Sequence, residues 1–192
     1  MKAMQKITKT SLFLFLAAAL IVGCKKDDDA PKPSASTPPA NEEELITSVK
    51  ITLTDTAGVA PVVEAWFRDP DGDGGNAPIQ FDTIRLVANT VYNATIELYD
   101  ESKNPVEDIT AEVQAEDDEH IFCYTPSAVN LAIIRTDSDG TYEVGLATQW
   151  SAGAASVGTT KVTLKHQPDG IKDGTCAPGD TDVELDFVTE IQ

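Results

Sequence analysis

Val49-Lys50-Ile51-Thr52-Leu53-Thr54 decides the fold class. Three apolar side chains alternate with three polar ones, the period of a strand with one buried face and one wet face. The pattern recurs in both directions along the chain. Asp55-Thr56-Ala57-Gly58 reads as a turn. Val62–Arg68 then reads as a second strand, with Val63, Ala65 and Phe67 on one face and Glu64, Trp66 and Arg68 on the other. Ile79–Val87 and Val91–Tyr99, separated by Ala88-Asn89-Thr90, read as a hairpin in which Tyr92, Ala94, Ile96 and Leu98 share a face. Ile121–Tyr124, Asn130–Arg135, Thr141–Trp150, Thr159–His166 and Asp182–Val188 continue the series, punctuated by turns such as Asp137-Ser138-Asp139-Gly140. One interruption is helical. Asp108 stands where it can cap a short helix, with Ile109 and Val113 four apart on a single apolar face. The expected class is all-β, a single antiparallel Ig-like β-sandwich of about eight or nine strands with one short helix. A closed barrel is the competing arrangement.

Upstream of the strands the composition changes twice. Lys2, Lys6 and Lys9 precede an apolar run from Ser11 to Val22, and Gly23 stands before Cys24. This is the layout of a lipoprotein signal peptide over residues 1–23, with Cys24 as the lipid-attachment residue carrying a diacylglyceryl thioether and an N-acyl chain such as palmitate. The run stops short of the ~20 apolar residues that a membrane span needs. Residues 24–42 hold the charged segment Lys25, Lys26, Asp27, Asp28 and Asp29 and then a Pro/Ser/Ala-rich stretch, Ala30-Pro31-Lys32-Pro33-Ser34-Ala35-Ser36-Thr37-Pro38-Pro39. Such a stretch cannot bury a core and is expected to be a disordered, extended tether. The β-sandwich domain is expected over residues 43–192.

The chain carries 14 basic and 32 acidic residues, a formal charge of −18. Removing residues 1–23 takes away three lysines and no acid, leaving −21. That balance repels polyanions, so nucleic acid is not an expected partner, while cations and basic surfaces are attracted. The same charge also keeps a tethered domain soluble.

Three groups of residues bear on ligand chemistry. Asp69-Pro70-Asp71-Gly72-Asp73-Gly74-Gly75-Asn76 sets Asp69, Asp71 and Asp73 at i, i+2 and i+4, as in the first half of an EF-hand loop. The closing glutamate is replaced by Gln80, and the flanks read as strands. The loop is therefore either a structural Ca2+ site or a solvated turn whose Asp and Gly satisfy backbone geometry. Cys123 and Cys176 remain once Cys24 is lipidated, and an exported setting favours a disulfide between them over two separate thiols. His120 and His166 are the only imidazoles. His120 and Cys123 have the spacing of metal ligands, but residues three apart on a strand point to opposite faces. His166 follows Val162 and Leu164 on one face, the pattern of a packed histidine. Together the two could hold a transition metal, or haem axially, if the fold brings them close.

No nucleophile elbow, phosphate-binding glycine loop or paired His–Glu helix motif occurs, so the expectation is a non-enzymatic protein. Cys24-Lys25-Lys26-Asp27-Asp28-Asp29 resembles the lipoprotein export signal of Bacteroidota, in which acids behind the lipidated cysteine direct a protein to the outer face of the cell. Asn41-Glu42-Glu43-Glu44-Leu45-Ile46-Thr47, Asp69–Pro78, Asn104-Pro105-Val106-Glu107-Asp108-Ile109-Thr110 and Val162-Thr163-Leu164-Lys165-His166-Gln167-Pro168 are similar to segments of a family of small Bacteroidota outer-membrane lipoproteins associated with TonB-dependent receptors. The resemblance implies a lipid-anchored protein of the outer membrane facing the exterior. It also implies an accessory ligand-binding or capping role in uptake beside a TonB-dependent receptor. A structural or adhesive surface module is the alternative. Asp55-Thr56-Ala57 and Asp82-Thr83-Ile84 also resemble that phylum's O-glycosylation tripeptide. Thr56 is the better acceptor, because Thr83 falls within an expected strand.

Overall fold

The computed structural model describes residues 45–72 and 74–192. Cys24, the export segment Lys25, Lys26, Asp27, Asp28 and Asp29, and Asp73 lie outside the described residues. The described elements are β1 (Ser48–Asp55), β2 (Val63–Arg68), β3 (Gln80–Phe81), β4 (Ile84–Leu86), β5 (Val91–Asp100), β6 (Glu107–Asp108), α1 (Ile109–Ala115), β7 (His120–Ser127), β8 (Leu131–Arg135), β9 (Ala147–Ala152), β10 (Ser156–His166) and β11 (Asp180–Ile191). They build two packed sheets. One runs β3-β2-β1-β5-β9-β8, with β6 added to β5, and the other runs β4-β11-β10-β7. The chain is thus a β-sandwich rather than a barrel.

The opening hexapeptide lies at its centre. Val49, Ile51 and Leu53 of β1 join Tyr92, Ala94, Ile96 and Leu98 of β5 and Trp150 of β9. Together they meet Phe122, Val162, Leu164 and Phe187 from the opposite sheet in one buried cluster. Each pair of alternate residues faces inward because successive side chains on a strand point to opposite faces. Trp150 is fully buried, and its indole N–H donates to Thr148 Oγ1 at 2.8 Å, so the polar tip of the largest core side chain is satisfied. The helix forms as its cap signals: Asp108 accepts a hydrogen bond from the Thr110 N–H at 3.0 Å, and Ile109 and Val113 are its buried pair.

Two expected strands are corrected. Ile79–Val87 is not one strand and makes no hairpin with β5. Its first part adds to β2, and its second pairs in parallel with β11 in the other sheet. Asp82 explains the change of sheet. Its carboxylate accepts from the Trp66 N–H at 3.0 Å and from Gln80 Nε2 at 2.8 Å, so a side chain takes over where the ladder would continue. The β4–β11 ladder is also a parallel element in a sandwich expected to be antiparallel. Thr141–Trp150 is strand only from Ala147. Before it, the Asp139 carboxylate accepts from the N–H groups of Thr141 (2.6 Å) and Tyr142 (2.7 Å), and the Asp137 carboxylate accepts from the Gly145 N–H (2.7 Å). These side-chain bonds hold the segment as turns.

Strand directions sort the loops into two ends. Ser48 pairs with Arg68 and Tyr99 in one sheet, and His166 pairs with His120 and Asp180 in the other. Ile46, Phe67 and Asp69 line one cavity together with Asp182–Leu185, so these two sets share an end. Val91, Ser151, Ser156 and Ile191 lie at the other.

Candidate functional site

The described chain enters the sandwich at the first of these ends, and the two histidines meet there. The antiparallel register of β7 and β10 sets His120 directly opposite His166. Both are buried, and their rings stack with centroids 4.7 Å apart and planes 5° from parallel. His120 Nδ1 lies 3.0 Å from the carbonyl oxygen of Glu116, one residue past α1. A carbonyl cannot donate, so we assign the proton to Nδ1, and in the neutral ring Nε2 keeps its lone pair. That Nε2 is 3.9 Å from Asp182 Oδ2, and His166 Nε2 is 3.7 Å from Glu119 Oε2. Both separations exceed a hydrogen bond. The strands supply the histidines, and the turn after α1 supplies two carboxylates.

Asp182 reaches the site because of a bulge. Along β10 and β11, Leu164 pairs with Val183 but Lys165 pairs with Thr181, so Asp182 is the extra residue. A bulge re-aims the side chain it carries. The Asp182 side chain is fully buried, whereas the simple alternation Asp182-Val183-Glu184-Leu185 would face it to solvent. A cavity of about 290 Å³ lies alongside, lined by Asp69, Gly72 and Phe67 as well as Asp182.

The backbone beyond His166 is tightly held. The Gln167 N–H donates to Glu119 O at 2.6 Å, and Gln167 Nε2 donates to the carbonyls of Thr175 and Pro178, each at 2.9 Å. Gly179 has φ +80°, and a Cβ there would collide with the carbonyl oxygen of His166. Backbone cannot yield as a side-chain tip can. Gly179→Ala should therefore destabilise the domain by about 1–3 kcal/mol and shift the imidazole resonances of His166, read by denaturant melts and NMR.

A cross-linked loop closes this side of the molecule. Cys123 and Cys176 form a disulfide with Cα atoms 6.2 Å apart, as expected. It ties the loop after Gln167 to the outer face of β7, where Ile121 and Cys123 are buried although they point away from the core. Lys172 of the same loop is 2% exposed. It donates to Asp139 Oδ2 at 2.7 Å and to the Asp117 carbonyl at 2.6 Å.

The other sequence candidates fall out as follows. His120 and Cys123 do not converge, because Cys123 belongs to the disulfide face. Haem between the histidines is ruled out, since rings stacked 4.7 Å apart leave no gap for a macrocycle. In the aspartate loop, Asp71 Oδ2 accepts from the Asn76 N–H (2.8 Å) and Nδ2 (2.7 Å). Those bonds hold its carboxyl below the usual range. Asp69 is buried beside the cavity. Thr56 is exposed, but its hydroxyl donates to Val91 O at 3.0 Å. Asp55 accepts from the N–H groups of Ala60, Ala57 and Val59, which lower its pKa, so this Asp-Thr pair builds the turn. Thr83 is half-buried where the chain changes sheet.

Glu116, Glu119, Asp182 and Lys172 were not singled out by the sequence. The acidic run Glu116-Asp117-Asp118-Glu119 just before His120 is the one signal that could have suggested the first two. Among the described residues, no helix is long and apolar enough to cross a membrane. The chain matches no family model, no curated protein and no solved structure.

Proposed function

We propose that this protein is a lipid-anchored, non-enzymatic surface lipoprotein of the outer membrane, displayed outward and acting as an accessory ligand-binding or capping module for uptake beside a TonB-dependent receptor. The observation that carries the proposal is the sequence Gly23-Cys24-Lys25-Lys26-Asp27-Asp28-Asp29 behind a basic and then apolar leader. Palmitate-type acylation at Cys24 supplies the membrane attachment.

The division of the sandwich into two ends supports a binding role. The described chain begins at the histidine end. At the opposite end Val59, Val62, Val87 and Val157 are exposed. A cavity of about 370 Å³ also opens there, lined by Val62, Arg85, Val87, Tyr92 and Gln192. An end remote from residue 45, where the described chain begins, with apolar side chains and an open cavity, suits contact with a partner. Calcium at Asp69, Asp71 and Asp73, with Asp69 already held at the cavity wall, belongs to the same proposal. Glycosylation at Thr56 does too, since the residue is exposed.

The test is a mild-detergent pull-down followed by mass and metal analysis. The tag belongs in the tether, between Pro33 and Ser34, because Gln192 lines the distal cavity. A co-purifying β-barrel receptor is the expected result. No receptor, together with altered attachment but normal growth on a limiting nutrient in the deletion strain, would favour a structural or adhesive module instead.

A further inference from the structure

We propose that His120, His166 and Glu116 form a binding site for a divalent transition-metal ion of the Zn2+ type. The proposal stands on the geometry of the sandwich end and does not depend on where the protein resides. The three residues each offer one ligand atom, and these atoms lie within 4.8 Å of one another. Two imidazoles and a carboxylate are a donor set that zinc and its neighbours favour over Ca2+ or Mg2+, which take oxygen almost throughout.

Three features separate this cluster from a pair of packed histidines beside surface acids. His120 already makes a hydrogen bond of the kind that metal-bound imidazoles carry, from Nδ1 to the Glu116 carbonyl, which fixes the ring. His166 is 4% exposed, and its Nε2 has no hydrogen-bond partner among the described residues. A buried imidazole nitrogen left in that state is costly unless something binds it. Finally, the bulge in β11 brings the Asp182 carboxylate into the interior beside His120, where negative charge favours a cation.

Binding draws the cluster together. Tetrahedral bonds of ~2.0–2.1 Å set donor atoms about 3.4 Å apart, so a pair at the 4.8 Å bound closes by roughly 1.4 Å. Lone pairs lie in the imidazole planes, and parallel planes cannot both contain one ion between them, so one ring tilts to meet it. The Glu116 side chain is exposed and can swing in from the surface. Glu119, at 3.7 Å from His166 Nε2, stands close enough to take the fourth position or to hold a water there.

The experiment is equilibrium dialysis of the metal-stripped full chain against Zn2+ and against Co2+, with elemental analysis, visible absorption of the cobalt form, and melting with and without chelator. One ion per chain is expected, with a raised melting temperature and a cobalt spectrum of a nitrogen-ligated site. Glu116→Gln should weaken binding by at least ~10-fold while leaving the metal-free melt unchanged, because Glu116 supports the fold through its backbone carbonyl and N–H, which the substitution keeps. His166→Gln should abolish binding. No retained ion, or wild-type affinity in either folded variant, would overturn the site. If His166→Gln does not fold, Glu116→Gln alone decides.

Discussion

Lys172→Met should cost about 3–5 kcal/mol of folding stability, seen as a lower denaturant midpoint with the slope unchanged. The Lys172 ammonium and the Asp139 carboxylate are 2.7 Å apart, with side chains 2% and 5% exposed. Removing the cation leaves a buried carboxylate facing the Asp117 carbonyl region with nothing to neutralise it. Methionine fills the stem's volume, so the loss reads the charge rather than a cavity. Asp139→Asn should be of similar severity, because the amide can still accept from the Thr141 and Tyr142 N–H groups but leaves the Lys172 ammonium buried with no counter-charge. Acid should act through the same pair. Desolvation alone would raise the Asp139 pKa. The Lys172 hydrogen bond and charge, with the two backbone N–H bonds, outweigh it and hold the carboxyl at about 2, against an ordinary 3.8. A carboxylate with a depressed folded-state pKa contributes stability that is complete above about pH 4 and lost as pH falls toward 2. The wild-type protein should lose stability across that window more steeply than Asp139→Asn.

Opening the Cys123–Cys176 disulfide should be comparably severe. The bridge spans 53 residues, and in the chain-entropy model closing such a loop in the unfolded chain contributes roughly 4 kcal/mol. For a domain of this size that corresponds to about 10 °C in melting temperature. Structure adds to the loss. The bridged loop is tied to the outer face of β7, where Ile121 is buried, carries Lys172 to Asp139, and is fastened by Gln167 beside His166. Reduced protein, or the Cys123→Ser/Cys176→Ser variant, should therefore melt early and expose apolar surface from β7 first. Identical melts with and without reductant would contradict this. The two predictions also couple. Lys172→Met should cost less in the reduced protein, since its loop is then already loosened.

The sequence reads well where one physical rule acts alone. The alternation of β1 and β5 follows from side-chain period and the Asp108 cap from capping chemistry, and the sandwich follows from the alternation. It fails where side chains compete with the ladder. Asp82 pulls Ile79–Val87 across two sheets, and Asp137 and Asp139 keep Thr141–Leu146 out of β9. Neither is visible as periodicity, because an aspartate in a polar position looks the same whether it faces water or caps a backbone N–H. The candidate site was half legible. Two histidines are conspicuous in any chain that has only two, but their pairing depends on the register of β7 against β10. Asp182 was hidden altogether. Its place in Asp182-Val183-Glu184-Leu185 reads as outward, and only the bulge turns it in.

Outward display of this sandwich from a lipidated Cys24 underlies the proposed role in uptake. Protease added to intact cells tests it most directly, because the tether between Cys24 and Glu42 is the expected cleavage region while the cross-linked domain should survive. The expected result is release of a folded domain of about 150 residues into the medium, with Cys24→Ala abolishing its retention on the membrane beforehand. Full protection on intact cells, with cleavage only after lysis, would contradict it.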